Sequence, residues 1–324
     1  MTPPAALVSA RKLSWADTLR GHARTAPVML LVPATFLAVC LGAPWWAVAL
    51  LLAVQLHFMH ACLIGFHETA HFNFAPARWY NDACGQLLAT STFMSLTLYR
   101  AVHHTHHSYF GTDRDEELWP HTLPNSSRRF RRLVAGFELG FGLIATPLLF
   151  LRSFLRRGGP VREPHIRRRV WLELAWLAAV WVGIVAAVAA LDLWVPFLVA
   201  WVIPAFVAGN VTTWRKYIEH VGLTGDGPAG LTRLVAAPDP AGKLLSTSLF
   251  HEPLHGVHHL YAGLPSGRLP AFVGDLPADG RVFPSYRAAL VDLLRELGDP
   301  RVGPQWHAGA ESPPAAAGGL QVQT

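Results

Sequence analysis

Ten of the seventeen histidines in this chain fall into three short clusters. The first is His67-Glu-Thr-Ala-His71. The second holds His103, His104, His106 and His107, and the third runs His251-Glu-Pro-Leu-His255-Gly-Val-His258-His259. On a helix His67 and His71 lie one turn apart on a single face. His103, His106 and His107 stand in an i, i+3, i+4 relation, and His255, His258 and His259 repeat it. His104 is about 100° round the helix from His103 and is left out of the ligand set. A lone histidine on an apolar face is usually a packed or hydrogen-bonded residue. Clusters at this spacing differ, because neutral imidazole is a good ligand for iron, zinc and copper. The three clusters supply eight such imidazoles, too many for one ion when tetrahedral zinc takes four ligands and catalytic zinc usually three. Two metals with all-nitrogen shells are expected, unlike the Glu-rich shells of soluble di-iron bundles. Iron is favoured, because a redox metal with open positions can activate dioxygen and zinc cannot.

The elements that position these clusters are apolar. Only 15% of the 324 residues are charged, against roughly 25% in soluble domains, and the mean hydropathy is +0.28. With twelve Trp, this reads as a bilayer protein with interfacial aromatics. Residues 25–66 contain no Asp, Glu, Lys or Arg, enough for two passes of about 20 residues each. Gly42-Ala43-Pro44 supplies the turn, with Trp45 and Trp46 at an interface. A second hairpin is expected over 170–213, broken at Leu191-Asp192-Leu193. Residues 134–151 are apolar but carry Glu138, three glycines and Pro147, so they are read as an interfacial or re-entrant helix.

Arginines and lysines flank the outer ends of both hairpins, among them Arg20, Arg24, Arg167, Arg168, Arg169, Arg215 and Lys216, while the hairpin turns have none. The positive-inside tendency then places both termini, the central loop and all three clusters on the cytoplasmic side. The expected fold is an all-α integral membrane protein with four transmembrane helices, as two hairpins at about 26–66 and 170–213. A cytoplasmic helical cap, 67–169 and 214–298, carries the histidine boxes. Residues 1–25 are a cytoplasmic leader, 26–298 a single membrane domain, and 299–324, rich in Pro, Ala and Gly, a disordered tail. Cys40, Cys62 and Cys84 form no C-x-x-C pair, which excludes a thiolate zinc site and a fused rubredoxin-like module. No basic face or known module indicates nucleic acid.

The order of the boxes resembles that of the membrane fatty acid desaturase and hydroxylase superfamily, and the likeness extends past the histidines. Asn81-Asp82 and Gly85 follow the first box. His106-His107-Ser-Tyr-Phe-Gly-Thr-Asp113-Arg-Asp115 resembles the family's "HH…TGT…D" run, and His258-His259-Leu-Tyr-Ala-Gly-Leu-Pro265 its "HHLFPGLP" ending. Tyr217-Ile-Glu219-His220-Val-Gly-Leu223 is similar to a segment of membrane alkane hydroxylases. The resemblance covers about residues 30–295. It implies two irons held by nine histidines: His67, His71, His103, His106, His107, His220, His255, His258 and His259. Asn210 and His251 are possible further ligands, and Glu68, Asp113, Asp115, Glu219 and Glu252 possible carboxylate partners of the ligand imidazoles. It also implies O2 as co-substrate, attack on an unactivated C–H bond of a lipid or acyl chain, and an external electron donor such as a ferredoxin, a cytochrome b5-like protein or a rubredoxin. Desaturation leads; hydroxylation or ketolation of a carotenoid, alkane or other lipid is the alternative. A histidine-rich metal transporter or sensor is the rival from another class, although transporters place polar ligands near the midplane. His57 and His60, inside the second apolar run, are expected to be neutral and hydrogen-bonded between helices. His22, His121, His165 and His307 are expected at the surface.

Overall fold

Fourteen helices and two short strands order the chain in the computed structural model, which describes residues 5–277 and 280–306. The helices are α1 (Ala5–Ala10), α2 (Trp15–Thr25), α3 (Val28–Cys40), α4 (Trp45–Ala70), α5 (Arg78–Ser91), α6 (Leu96–Ser108) and α7 (Arg128–Leu155). They continue with α8 (Pro164–Ala190), α9 (Trp194–Phe197), α10 (Ile203–His220), α11 (Gly227–Leu231), α12 (Pro240–Ser248), α13 (His255–Leu260) and α14 (Tyr286–Glu296). A π turn over Leu198–Val202 joins α9 to α10 into one long rod. The hairpin turns fall where the sequence puts them. Gly42 turns with φ 67°, and Asp192 takes φ 51° between α8 and α9, a left-handed conformation that Asp tolerates better than most residues.

Among the described residues, five helices are long and apolar enough to cross a membrane: Trp15–Cys40, Trp45–Ala70, Arg128–Leu155, Pro164–Ala190 and Trp194–His220. Four of these are the expected hairpin arms, and the fifth, α7, contains the stretch read as interfacial. That helix breaks at Phe141 (φ −136°, ψ 39°). Asn210 of α10 closes the break, its Oδ1 accepting from Gly142 N (2.6 Å) and its Nδ2 donating to Gly140 O (2.9 Å). The two helices cross closely there: a Cβ on Gly209 would lie 2.9 Å from Leu143 Cα.

Several helices have explicit starts. Ser95, Ser127 and Ser285 each accept a backbone N–H from the first turn of α6, α7 and α14, satisfying donors that a helix start otherwise leaves open. Strands Arg233–Val235 and Arg281–Phe283 pair in parallel beneath α14 and α13. The cap core gathers Tyr217, Val221, Leu223, Leu231, Leu293 and Val302.

Three boundary and surface expectations change. Residues 15–25, assigned to the leader, form an amphipathic helix that packs on α4, with Gly21 against Phe74 and Thr25 against Gly65. Residues 299–306, assigned to the tail, are packed: Val302 is fully buried and its N–H donates to His121 O (3.0 Å). Residues 307–324, with His307, lie outside the described residues. His121 is buried, not exposed, its ring bridging Tyr217 Oη (2.9 Å) and Pro300 O (3.2 Å). His22 is half-buried against Tyr80, while His165 is exposed. His60 bonds Thr212 of α10 across the helix interface (3.0 Å), as expected of a polar group inside a span.

Candidate metal centre

Four helices deliver imidazoles to one place. The last turn of α4 brings His67 and His71, α6 brings His103, His106 and His107, the end of α10 brings His220, and α13 brings His255, His258 and His259. Their ring nitrogens sort into two groups, each within 4.8 Å. One holds His67, His71, His103, His107 and His258; the other holds His106, His220, His255 and His259. The H-x-x-H-H spacing is thus divided between the groups. From α6, His103 and His107 enter one and His106 the other; α13 gives His258 to the first and His255 and His259 to the second. A helix presents i and i+4 together and i+3 at a slightly different angle, which suits two adjacent centres.

The outer nitrogens are held by carboxylates. His103 Nδ1 donates to Glu117 (2.7 Å) and His106 Nδ1 to Asp115 (2.9 Å). Asp115 is itself fixed by the backbone N–H groups of Gly111, Glu117 and Leu118. His220 Nδ1 donates to Leu231 O (3.2 Å). Such partners fix the tautomer and leave Nε2 as a lone pair aimed inward. Burial pushes His103 down to about 4 against the opposing pull of Glu117, and His255 down to about 4 against that of Glu252. Burial and then the neighbouring imidazoles hold His71, His107, His258 and His259 well below the ordinary histidine value. His106 differs: burial lowers it, but Asp115 outweighs burial and raises it. For Glu117, burial works upward, yet the His103 contact keeps the carboxyl well below the usual range.

The donor set fits metal. His71 and His103 face each other Nε2 to Nε2 at 2.8 Å, His103 and His107 at 3.1 Å, and His107 and His258 at 3.2 Å. In the second group His220 and His255 approach at 3.0 Å, and His255 and His259 at 3.1 Å. Neutral imidazoles whose Nδ1 carries the proton have only lone pairs to present at such contacts, and a cation between them turns opposition into ligation. His67 carries a second sign: it is buried and neither ring nitrogen has a hydrogen-bond partner, which a buried polar group rarely tolerates. Aromatic rings cover both groups. Tyr99 stacks on His103 (5.2 Å, 15°) and Phe110 on His259 (4.1 Å, 19°).

Of the secondary candidates, Asp115 and Glu252 meet ligand imidazoles directly. Glu252 Oε1 lies 3.1 Å from His255 Nδ1. Glu68 Oε1 is 3.7 Å from His67 Nδ1, and Glu219 Oε2 is 3.8 Å from His255 Nε2. Three candidates are not brought in. Asn210 spends its amide on the α7 break, and ten residues of helix hold it about 15 Å from His220. Asp113 is exposed. His251 is turned away because Phe250 and His251 both adopt left-handed φ (56° and 54°). The i, i+4 relation to His255 then no longer means one face, and its Nδ1 pairs with Ser246 instead. His104 is exposed beside Ser108, as its helical angle requires. Sequence reasoning missed Glu117 and Arg215. Glu117 follows Asp115 by two residues in Asp113-Arg-Asp-Glu-Glu117, where a turn rather than a helix decides which carboxylate points inward; only proximity to the box hinted at it.

A fatty acid desaturase family model matches residues 15–289. No curated protein matches the chain significantly. With most of its length matched and its histidines gathered in two buried groups, the chain belongs to the fatty acid desaturase family.

Proposed function

We propose that this protein is an O2-dependent, non-haem di-iron desaturase of the membrane that introduces a C=C bond into an acyl-lipid or acyl-carrier substrate. The observation that carries it is the division of nine histidines, six buried and three half-buried, into a group of five and a group of four. Iron held there would supply oxidation of an unactivated C–H bond by O2, with two electrons from a separate donor protein. The chain's own residues fix the imidazoles: Glu117 and Asp115 keep the Nδ1 protons of His103 and His106 outward. Tyr99 and Phe110 present ring faces to His103 and His259 and exclude water from their surroundings.

Four spans, with α7 at the interface, are part of the same reading. His103, His106 and His107 precede α7, and His220 follows α10, yet His106 and His220 share one group. Two residues on the same side of a bilayer are separated by an even number of crossings. With the α8 and α9–α10 rods taken as two crossings, this parity supports reading α7 as an interfacial helix. The arginine distribution puts this side in the cytoplasm, where a soluble electron donor can reach it, and a site at one end of the spans argues against a transporter.

The test is a mass-spectrometric comparison of lipid extracts from cells expressing the wild type or His258→Ala. Fatty acids lighter by two hydrogens, present only with the wild type, are the expected result. Products heavier by oxygen would instead establish the hydroxylase or ketolase reading. If neither appears and the purified protein carries zinc in place of iron, the oxygenase reading falls.

A further inference from the structure

Glu252 is placed differently from the other carboxylates of the site. Glu117 meets one imidazole of the five-histidine group, His103, and Asp115 one imidazole of the four-histidine group, His106. Glu252 faces both groups at once. Its Oε1 is 3.1 Å from His255 Nδ1, and its Oε2 is 3.8 Å from His67 Nδ1, an electrostatic approach and not a hydrogen bond; Glu68 comes as near to His67, at 3.7 Å, but faces that group alone. His255 belongs to the four-histidine group and His67 to the five.

Arg215 fixes this carboxylate. Its guanidinium contacts Glu252 Oε1 and also reaches Glu219 Oε1 at 3.4 Å. All three side chains are largely out of solvent, with 12% of Arg215 and 4% of each carboxylate exposed. Glu219, Glu252 and His255 form a third cluster of donor atoms within 4.8 Å. Arg215 already supplies the positive charge there, so the cluster is an ion-paired support and not a third metal site. The backbone aims Glu252 inward: the left-handed pair Phe250–His251 reverses the chain just before it and starts the 3-10 turn Glu252–Leu254. Strained backbone of this kind persists where the surroundings demand the geometry.

We propose that Glu252, held by Arg215, is the common positioning carboxylate of both metal subsites, orienting His67 for one ion and His255 for the other. Arg215 and Glu252 are positioning residues that act through these imidazoles. The two ions are therefore coupled through a single side chain, and loss of that side chain weakens both. The inference rests on the metal-binding reading above.

The experiment titrates the metal-stripped full-length chain, purified in detergent, with Fe(II) under anaerobic conditions, and counts iron per chain by elemental analysis. Size exclusion verifies that each variant is folded. Wild type taking up no iron would sink the metal-binding reading itself. With two ions bound by the wild type, Glu117→Gln should weaken one ion and leave the other. Glu252→Gln should weaken both, the ion of the four-histidine group by roughly 10–100-fold, the usual effect of losing a partner of a ligating histidine, and the other by less, because Glu68 still faces His67. Arg215→Lys, which keeps the charge but not the two-carboxylate grip, should weaken both in the same direction, and it decides the matter if Glu252→Gln does not fold. The proposal is overturned if Glu252→Gln and Arg215→Lys weaken a single ion or neither. It is equally overturned if Glu117→Gln weakens both, because coupling would then not run through Glu252.

Discussion

Lowering the pH from 7 to 5 around the metal-stripped protein should remove about 4 kcal/mol of folding stability through two histidines alone. His103 and His255 titrate near 4 in the folded chain, because burial disfavours their charged forms, and near 6.5 when unfolded. A base with a depressed folded pKa leaves the unfolded chain holding more protons between those two values. The stability is therefore fully present above about 6.5 and drains away as the pH falls toward 4. At pH 5 each unfolded imidazole is almost fully protonated and each folded one almost neutral, a loss of about 1.8 kcal/mol per histidine relative to pH 7. His71, His107, His258 and His259 are depressed further and push the same way. His106, raised by its carboxylate neighbours despite burial, opposes them. A thermal unfolding series in detergent, on stripped protein across this range, should show the midpoint falling by several degrees. The iron-loaded protein should hold its midpoint to lower pH, since metal and proton compete for the same lone pairs. A midpoint of the stripped protein that stays flat or rises between pH 7 and 5 would refute the claim that these imidazoles are buried in their neutral form.

Two further outcomes separate the site from its surroundings. His251→Gln should leave iron content unchanged, measured per chain beside a His258→Ala protein that loses iron. Gly209→Leu should force α7 away from α10, where even a Cβ meets Leu143 Cα at 2.9 Å. Overpacking of this kind costs about 1–3 kcal/mol, read as a lower midpoint.

The gathering of the boxes was legible because each sits on a helix, where spacing converts directly into a face, and the same geometry leaves His104 exposed. The hairpin turns were legible for a similar reason, since Gly42 and Asp192 mark the only breaks in long uncharged runs. What escaped lies where the chain leaves helical phase or meets a distant segment. His251 has box spacing, but two left-handed residues cancel it. His121 read as a surface residue because its partners, Tyr217 and Pro300, are 96 and 179 residues away. Asn210 sits in a span near the boxes, and no local pattern reveals that a break in another helix needs its amide. The split of the histidines into five and four is likewise a property of four helices packed together, invisible in any one box.

The dependence of both groups on α13 sets an order in time. His258 completes one group, and His255 and His259 complete the other, and all three are made after every long apolar helix among the described residues. A nascent chain therefore presents only partial nests of imidazole while its hairpins are entering the bilayer, so ions gathered early are held by incomplete sets and remain exchangeable. Arrival of the third box closes two doors with one short helix. On the proposed reading a finished metal site would therefore form only after insertion, and a chain interrupted anywhere before residue 255 would lack one.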